Sequence, residues 1–573
     1  MSLTTLLTLG LLALSVSSVK VKQPEKKPNL DWWKTSTVYQ IYPRSFKDSN
    51  GDGIGDLNGI TDKLEHIQDI GADALWLSPI YSSPQKDFGY DISNFTDIAP
   101  EFGTLADFDK LVKKAKSLNL KVLLDFVPNH SSDEHEWFKK SIDRVKPYDD
   151  FYIWKDGKKD AKNKTVPPNN WLSVFGKSAW EWNEKRKQYY YHAFVPGQPD
   201  LNYRNPQLQK AMRDVLTFWI DRGVDGFRVD AVNHMFEVAD LKDEPKSGNN
   251  VPEDDYEYLN HIYTRDLNET YGVVGSWQKL LDDYVAKHKT DGKFMILEAY
   301  TSITKSMQFY EVGANPFNFM FIASLNNGSS AQDFKRLING WMNAIPKGKV
   351  ANWVVGNHDN HRVASRFGTG SDRADQISML SAVLPGILVV YNGDEIGMVD
   401  RYFTWEETVD PAGCSAGPDR YQIKSRDPER TPFQWDATTS AGFSTNTKTW
   451  LPVNQNYKQL NLAAQKNATV SHYRVFKALS KLKKTPVLQK GVTEILLATS
   501  DVLAVIRKMP GQRSIVLLIN FANKSITLDA RTWLNIPEKL EIYASSVSSG
   551  LQSGQTVDTT YLTLPRAASI ILY

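Results

Sequence analysis

Gly226-Phe227-Arg228-Val229-Asp230-Ala231-Val232-Asn233-His234 follows directly on an amphipathic stretch at residues 207–222, in which apolar residues recur near helical spacing. A helix that runs into a short strand ending in ionisable residues is one turn of a parallel α/β architecture. The same alternation recurs on both sides of it. Strand candidates lie at residues 38–41, 74–77, 122–127, 226–229, 295–297, 317–322, 353–355 and 387–391, with helical patterns such as 105–118 between them. About eight such units in one chain favour closure, so the expected fold is α/β, a (β/α)8 TIM barrel.

Two segments depart from the alternation. Residues 131–205 are rich in Trp, Tyr, Lys, Pro and Asn and too long for a bare connection, so they predict a subdomain inserted after the third strand. From about Pro486 onward, short runs at 494–498, 502–507, 514–520, 540–543 and 569–572 predict a C-terminal antiparallel β-sandwich. The expected organisation is a barrel from 31–130 and 206–480, the insertion at 131–205 and the sandwich at 486–573.

The chain start reads as a targeting segment. Residues 6–16 are apolar, Ser15, Ser17 and Ser18 follow the pattern of a cleavage site, and Lys20, Lys22, Lys26 and Lys27 come next. The run is too short to span a bilayer, so residues 1–18 predict a signal peptide and a soluble, secreted, extracellular product without a membrane anchor. Asn-x-Ser/Thr acceptors at Asn94, Asn163, Asn268, Asn327, Asn467 and Asn523 suit such a product, and the lone Cys414 rules out an internal disulfide. With 68 basic against 66 acidic residues the net charge is +2, which gives no electrostatic case for a nucleic-acid partner.

In a barrel, side chains just past the C-terminal strand ends line one mouth, where chemistry gathers. The third candidate strand brings Asp125, Asn129 and His130 there; the fourth Arg228 and Asp230; the fifth Glu298; the seventh His358 and Asp359. Singly, each acid reads as a helix cap. Together they match what a glycosidic bond requires: one carboxylic acid to protonate the departing oxygen and one carboxylate to meet the developing cation, roughly 5–5.5 Å apart in retaining enzymes. Neighbouring strands lie roughly 4.7–4.9 Å apart, which suits that separation. Which acid plays which part does not follow from the pattern.

Residues 125–130, 226–234, 296–300 and 355–359 resemble the signature regions of the α-amylase superfamily of glycoside hydrolases. Gln198-Pro199-Asp200-Leu201-Asn202 resembles a further region of its oligo-1,6-glucosidase and α-glucosidase branch. The likeness extends through Asp87-Phe88-Gly89-Tyr90-Asp91 and Ser425-Arg426-Asp427-Pro428-Glu429-Arg430-Thr431-Pro432-Phe433-Gln434-Trp435, from about residue 31 to the end, and is strongest to the secreted maltases of insects. It implies an exo-acting retaining α-glucosidase that releases glucose from maltose-like α-1,4-glucosides, with sucrose as a second substrate. Asp230 would be the nucleophile, Glu298 the general acid/base and Asp359 the transition-state stabiliser. His130, His358 and Arg228 would line the same subsite, and Tyr90 would stack beneath the glucose. Asp87 and Arg426 would clamp its distal hydroxyls, with Arg430 a second candidate for that clamp. The residue after the nucleophile tracks linkage in the family, Val towards α-1,6 and Thr towards α-1,4. Ala231 matches neither, so cleavage of α-1,6 links and glucosyl transfer stand as alternatives. A non-catalytic ectodomain, as in amino-acid transporter subunits, is a more distant one.

Asp48, Asn50, Asp52, Ile54 and Asp56 place oxygen donors at alternate positions around Gly53, the first part of a calcium loop. Gly59 stands where an EF-hand has its bidentate Glu, so this is not an EF-hand. Family members bind calcium in a matching loop, which implies a structural Ca2+ with no role in bond breaking. No organic cofactor is expected, and the spacings of His192, His234 and His361 fit no common zinc pattern.

Overall fold

A computed structural model describes residues 27–368 and 373–573. The signal-peptide expectation at residues 1–18 lies outside them. Eight parallel strands form one sheet: β1 (Thr37–Ile41), β2 (Ala74–Leu77), β3 (Lys121–Phe126), β4 (Gly226–Val229), β5 (Phe294–Leu297), β6 (Asn315–Pro316), β7 (Asn352–Val354) and β8 (Ile387–Tyr391). Their spatial order is β6-β5-β4-β3-β2-β1-β8-β7. A parallel bridge between Asn318 and Trp353, with the Asn318 N–H donating to the Asn352 carbonyl at 2.9 Å, joins the two ends and closes the barrel.

The two-residue period of a strand sorts side chains between inside and outside. Val38, Ala74, Trp76, Leu123, Phe294, Ile296, Val354 and Val389 fill the interior. Tyr39, Leu75, Leu124, Phe227 and Leu297 face the surrounding helices. Those helices carry local signals: Thr104 and Asp107 make a reciprocal capping box for Leu105–Ser117, and Asn205 caps Pro206–Asp221, which has its proline in the first turn where the missing N–H costs nothing.

The sixth strand departs from expectation. It is Asn315–Pro316, and the apolar run at 317–322 turns into a helix, Met320–Ala323. Pro316 cannot donate to a ladder, and a short apolar run does not distinguish a strand from a buried helix. Phe317, Phe319 and Ile322 instead plug the barrel interior.

Between β3 and β4 a three-stranded antiparallel sheet forms, with Gln188–Tyr191 between Trp154–Lys155 and Trp180–Asn183 over Trp171, Trp180 and Tyr191. At the C-terminus a six-stranded antiparallel sheet runs in the order 492–497, 502–508, 515–520, 569–572, 539–545, 556–558. A two-stranded sheet of Ile526–Leu528 and Leu562–Leu564 covers one face around Ala504, Ile506, Leu518 and Ile570. The other face, with Leu503, Val505 and Leu517, joins the main core. The three-residue strands were not foreseen, because three residues are too few to display an alternation.

β4 and β5 run in register, Gly226 opposite Phe294 and Val229 opposite Leu297. A Cβ built on Gly226 would lie 2.2 Å from the Phe294 carbonyl oxygen, so only glycine fits there. Gly226→Ala must spread the two strands, at a cost of about 1–3 kcal/mol. Thermal unfolding should show a lower Tm and kinetics a lower kcat; an unchanged Tm would mean that this pair has slack.

Candidate active site

The register of β4 and β5 continues one step past the last paired residues, to Asp230 and Glu298. The Glu298 N–H donates to the Val229 carbonyl at 2.9 Å and the Asp230 N–H to the Phe126 carbonyl at 2.8 Å, so both acids leave the barrel on its inward side. Arg228, two residues before Asp230 and therefore on the same face, lies fully buried between them. Its Nη1 donates to both oxygens of Asp125 at 2.8 and 2.9 Å and to Asp230 Oδ1 at 2.6 Å, and its Nη2 meets Glu298 Oε2 at 2.6 Å. One guanidinium thus holds three carboxylates from three adjacent strands. Burial works against its charge, and Asp125 and Glu298 outweigh burial, keeping it charged.

Asp230 is followed by a left-handed turn at Ala231 (φ 43°, ψ 33°), which aims the Ala231 N–H at Glu298 Oε2, 3.0 Å away. A non-glycine residue in that region is strained, and such strain gathers at functional sites. Burial pushes the Glu298 carboxyl well above the ordinary range; Arg228 opposes this, and the nearby Asp230 and Asp359 reinforce it. Burial raises the Asp230 carboxyl as well, to about 7, against the pull of Arg228.

Asp359 stands on the loop after β7. Burial would raise its carboxyl, but His358, Arg430 and Arg426 more than offset burial and hold it well below the usual range. Arg430 Nη2 reaches Asp359 Oδ1 at 2.8 Å and its Nε donates to the His358 carbonyl at 2.7 Å. Arg426 spans the far end of the pocket, with Nη2 on Asp87 Oδ1 at 2.7 Å and Nη1 on Asp359 Oδ1 at 3.3 Å. Of the two arginines, Arg426 therefore meets Asp87, and Arg430 braces Asp359.

The remaining predicted residues form one hydrogen-bonded chain. Gln40 donates to His358 Nδ1 at 2.8 Å, which places the ring proton on Nε2; that nitrogen meets the Tyr90 hydroxyl at 2.6 Å, and Tyr90 donates to Asp125 Oδ2 at 3.0 Å. Burial draws the His358 ring well below the ordinary imidazole value, with Asp359 opposing it. The Tyr90 ring stacks on His358 at 5.3 Å and 7°. His130 Nε2 contacts the Tyr90 carbonyl at 3.0 Å and the Gln198 amide at 3.1 Å, and that amide donates to Asp87. Asp87, Tyr90, His130, Asp230, Glu298, Asp359 and Arg426 all line one cavity of about 320 Å³.

Sequence reasoning missed part of this wall. Asp410, fully buried, accepts from Arg426 Nε at 2.9 Å and Nη2 at 2.5 Å and fixes that side chain. Its only signal is Asp-Pro at a helix start, an N-cap pattern that carries no hint of the active site. Phe175, Phe194, Asn233, Tyr300, Asn360 and Lys424 also line the cavity.

The oxygen-rich loop is wound tightly about Asp48. Asp48 Oδ1 accepts from the N–H groups of Asn50 and Gly51 at 3.0 and 2.7 Å, and Oδ2 from Gly53 at 2.8 Å and the Ser444 hydroxyl at 2.5 Å. Asp56 caps helix Leu57–Asp62 through the Gly59 N–H, while Asn50 and Asp52 are exposed and Ile54 half-buried. The donors suit a hard cation in kind; in this arrangement the oxygens of Asp48 and Asp56 are engaged by the protein's own donors. All six glycosylation-type asparagines are exposed. Among the described residues no helix is long and apolar enough to cross a membrane.

Residues 40–491 match the family of α-amylase catalytic domains. The chain is 50% identical to Maltase 1 of Drosophila virilis, over 92% of this chain and 84% of that one. It is 48% identical to the α-glucosidase of Apis mellifera, over 90% of each. The crystal structure of the α-glucosyl transfer enzyme XgtA superimposes with a TM-score of 0.82 at 32% identity, covering 96% of this chain and 99% of that one. With the match covering nearly all of the barrel and the acids seated where its strands end, the chain belongs to the α-amylase family of glycoside hydrolases.

Proposed function

We propose that this protein is an exo-acting retaining α-glucosidase that releases glucose from the non-reducing end of maltose-like α-1,4-glucosides, with sucrose as a second substrate. The observation that carries the reading is the three-way clasp of Arg228 on Asp125, Asp230 and Glu298 at the base of a small, end-closed cavity. Asp230, anchored at one oxygen, attacks C1 while protonated Glu298 gives its proton to the departing glycosidic oxygen. The aglycone leaves with that proton and a glucosyl ester remains on Asp230. Glu298, now ionised, takes a proton from water, the resulting hydroxide attacks C1, and Asp230 leaves as carboxylate. Asp359, ionised throughout, accepts hydroxyl hydrogens of the sugar as C1 becomes positive.

The Arg426–Asp87 pair supports action on chain ends, since a polymer cannot thread past it. A volume of about 320 Å³ lies at the small end of ligand pockets and suits a disaccharide. Glucosyl transfer is the same chemistry with a sugar hydroxyl in place of water, and the likeness to XgtA favours keeping it as the second reading.

Hydrolysis should be brisk on maltose and sucrose and marginal on starch; equal rates on starch would remove the closed-pocket reading. Glu298→Gln should lower kcat on maltose by ~10²–10⁴-fold. It should lose far less on an aryl glucoside, whose leaving group needs no acid. Asp230→Asn should fail on both. The two variants behaving alike on both substrates would overturn the role assignment.

The pH dependence follows from the direction of the Glu298 shift. Activity needs Glu298 protonated, so it falls as pH rises through a pKa well above the ordinary glutamate value of about 4.3. The alkaline limb of kcat/KM should therefore lie near or above neutrality; a limb in the ordinary carboxylate range would contradict the burial argument.

We also propose the loop of Asp48, Asn50, Asp52, Ile54 and Asp56 as a structural calcium site, and export with glycosylation at the exposed asparagines. The order of donors and the exposed acceptors support these readings. Chelation should lower Tm by several degrees and added calcium restore it, with kcat at low temperature unchanged. No calcium in the purified protein and no Tm response would leave the loop a self-capped turn.

A further inference from the structure

His361, Asp400 and Glu429 come from three separate loops, and among the described residues they are the one group of histidine and acid side chains whose ligand atoms converge closely enough to hold a metal ion. His361 Nδ1 is 2.9 Å from Asp400 Oδ2 and 3.8 Å from Glu429 Oε2. A tetrahedral zinc ion with bonds of about 2.0–2.1 Å separates its ligand atoms by about 3.4 Å, between those two values.

A second observation is independent of the clustering. Glu429 is 1% exposed, and its Oε2 has no hydrogen-bond partner although it faces the imidazole nitrogen. A buried carboxylate oxygen without a donor is costly and calls for a proton, a water or a cation. The other two ligands are already oriented. The Arg362 N–H takes Asp400 Oδ1 at 2.8 Å, leaving Oδ2 directed at the site, and Arg366 Nη1 holds the His361 carbonyl at 2.9 Å. Two cations lie close by, Arg430 on Asp359 and the His358 carbonyl and Arg366 on the carbonyls of His361 and Val355, and neither donates to the free oxygen of Glu429. His361 is half exposed, so an ion has an entry path and a solvent-facing fourth position.

We propose that His361, Asp400 and Glu429 bind a divalent transition ion of zinc type, with water as the fourth ligand. One imidazole and two carboxylates form a mixed nitrogen and oxygen set, which suits zinc and not calcium, and two negative charges with a neutral imidazole balance a divalent ion. The site is separate from the loop at Asp48 and from the reacting acids. It lies behind the shelf that carries Asp359, since Glu429 precedes Arg430 and His361 follows Asp359 by two residues. Ion binding there stiffens the backbone on both sides of that shelf.

The test is zinc titration of metal-stripped protein in excess calcium, read by calorimetry and by elemental analysis after dialysis, with the absorption of a cobalt-substituted sample as a second readout. Wild type should retain one equivalent of zinc and give the intense visible bands of four-coordinate cobalt. His361→Ala and Glu429→Gln should each weaken binding at least tenfold and lose those bands. Glu429→Gln is nearly isosteric, and unchanged circular dichroism would confirm that it folds. Anomalous scattering at the zinc edge should place the ion between the three side chains. Failure of wild type to retain zinc, or equal affinity in either variant, would overturn the proposal and leave Glu429 a protonated acid beside a His361–Asp400 ion pair.

Discussion

Arg228 is the constraint on which the rest of the site depends. Three carboxylates at the ends of β3, β4 and β5 are brought together in a buried mouth, where their mutual repulsion and desolvation would each work against folding. A single guanidinium, itself buried, touches all three. Its planar fork allows contacts in several directions that a lysine ammonium on a flexible stem would not hold. Burial raises both reacting carboxyls against the pull of Arg228, Glu298 to about 8 and Asp230 to about 7. The acid and base of a retaining mechanism thus differ through their surroundings, not through their residue type.

Much of this was legible in the sequence because it rests on the strand period. Asp125, Arg228, Asp230 and Glu298 sit at even steps from Leu123, Gly226 and Ile296, so the rule that places apolar residues inside the barrel also places the acids there. What escaped was whatever depends on contacts distant in sequence. Asp410 is a helix cap by pattern and becomes part of the pocket only because Arg426, 16 residues on, folds back onto it. Likewise nothing in the spacing of His361, Asp400 and Glu429 suggests a cluster, and His361 taken with His192 and His234 fits no zinc pattern. His192 instead meets the Phe194 carbonyl. The sixth strand failed for a local reason, since aromatic residues serve equally in a strand or in a plug, and Pro316 decides between them.

The surrounding layers convert this electrostatics into rigidity. The segment between β3 and β4 packs Trp171, Trp180 and Tyr191 into a small core of its own and delivers Phe175, Phe194 and Gln198 to the pocket wall. Gln198 then ties Asp87 to His130, so the insertion also positions the charged clamp. The central strands of the C-terminal sheet are buried on both faces, and Arg507 among them donates to carbonyls of Val383, Leu488 and Gly491. Those contacts pin the helix that leads into β8, and β8 in turn sets the loop carrying Asp400 and Asp410.

Substrate choice has to reside on the wall that this clasp does not occupy. Asp87, Asp359 and Asp410 share Arg426, and Asp359 also shares Arg430, so a change of one partner leaves a buried charge unpaired in the others. That wall cannot vary without large cost. The part of the cavity lined by Ala231, Asn233, Tyr300 and Asn360 has no comparable network of ion pairs among the described residues. Tyr300 is fixed only by amide donors from Asn357 and Asn360 and by stacking on Phe319. Ala231 there is held at positive φ, where a β-branched residue meets more strain than alanine. In the proposed reaction a small residue at this turn would leave room beside the scissile bond, so that the neighbouring Asn233 and Tyr300, and not the bulk of residue 231, would meet the aglycone.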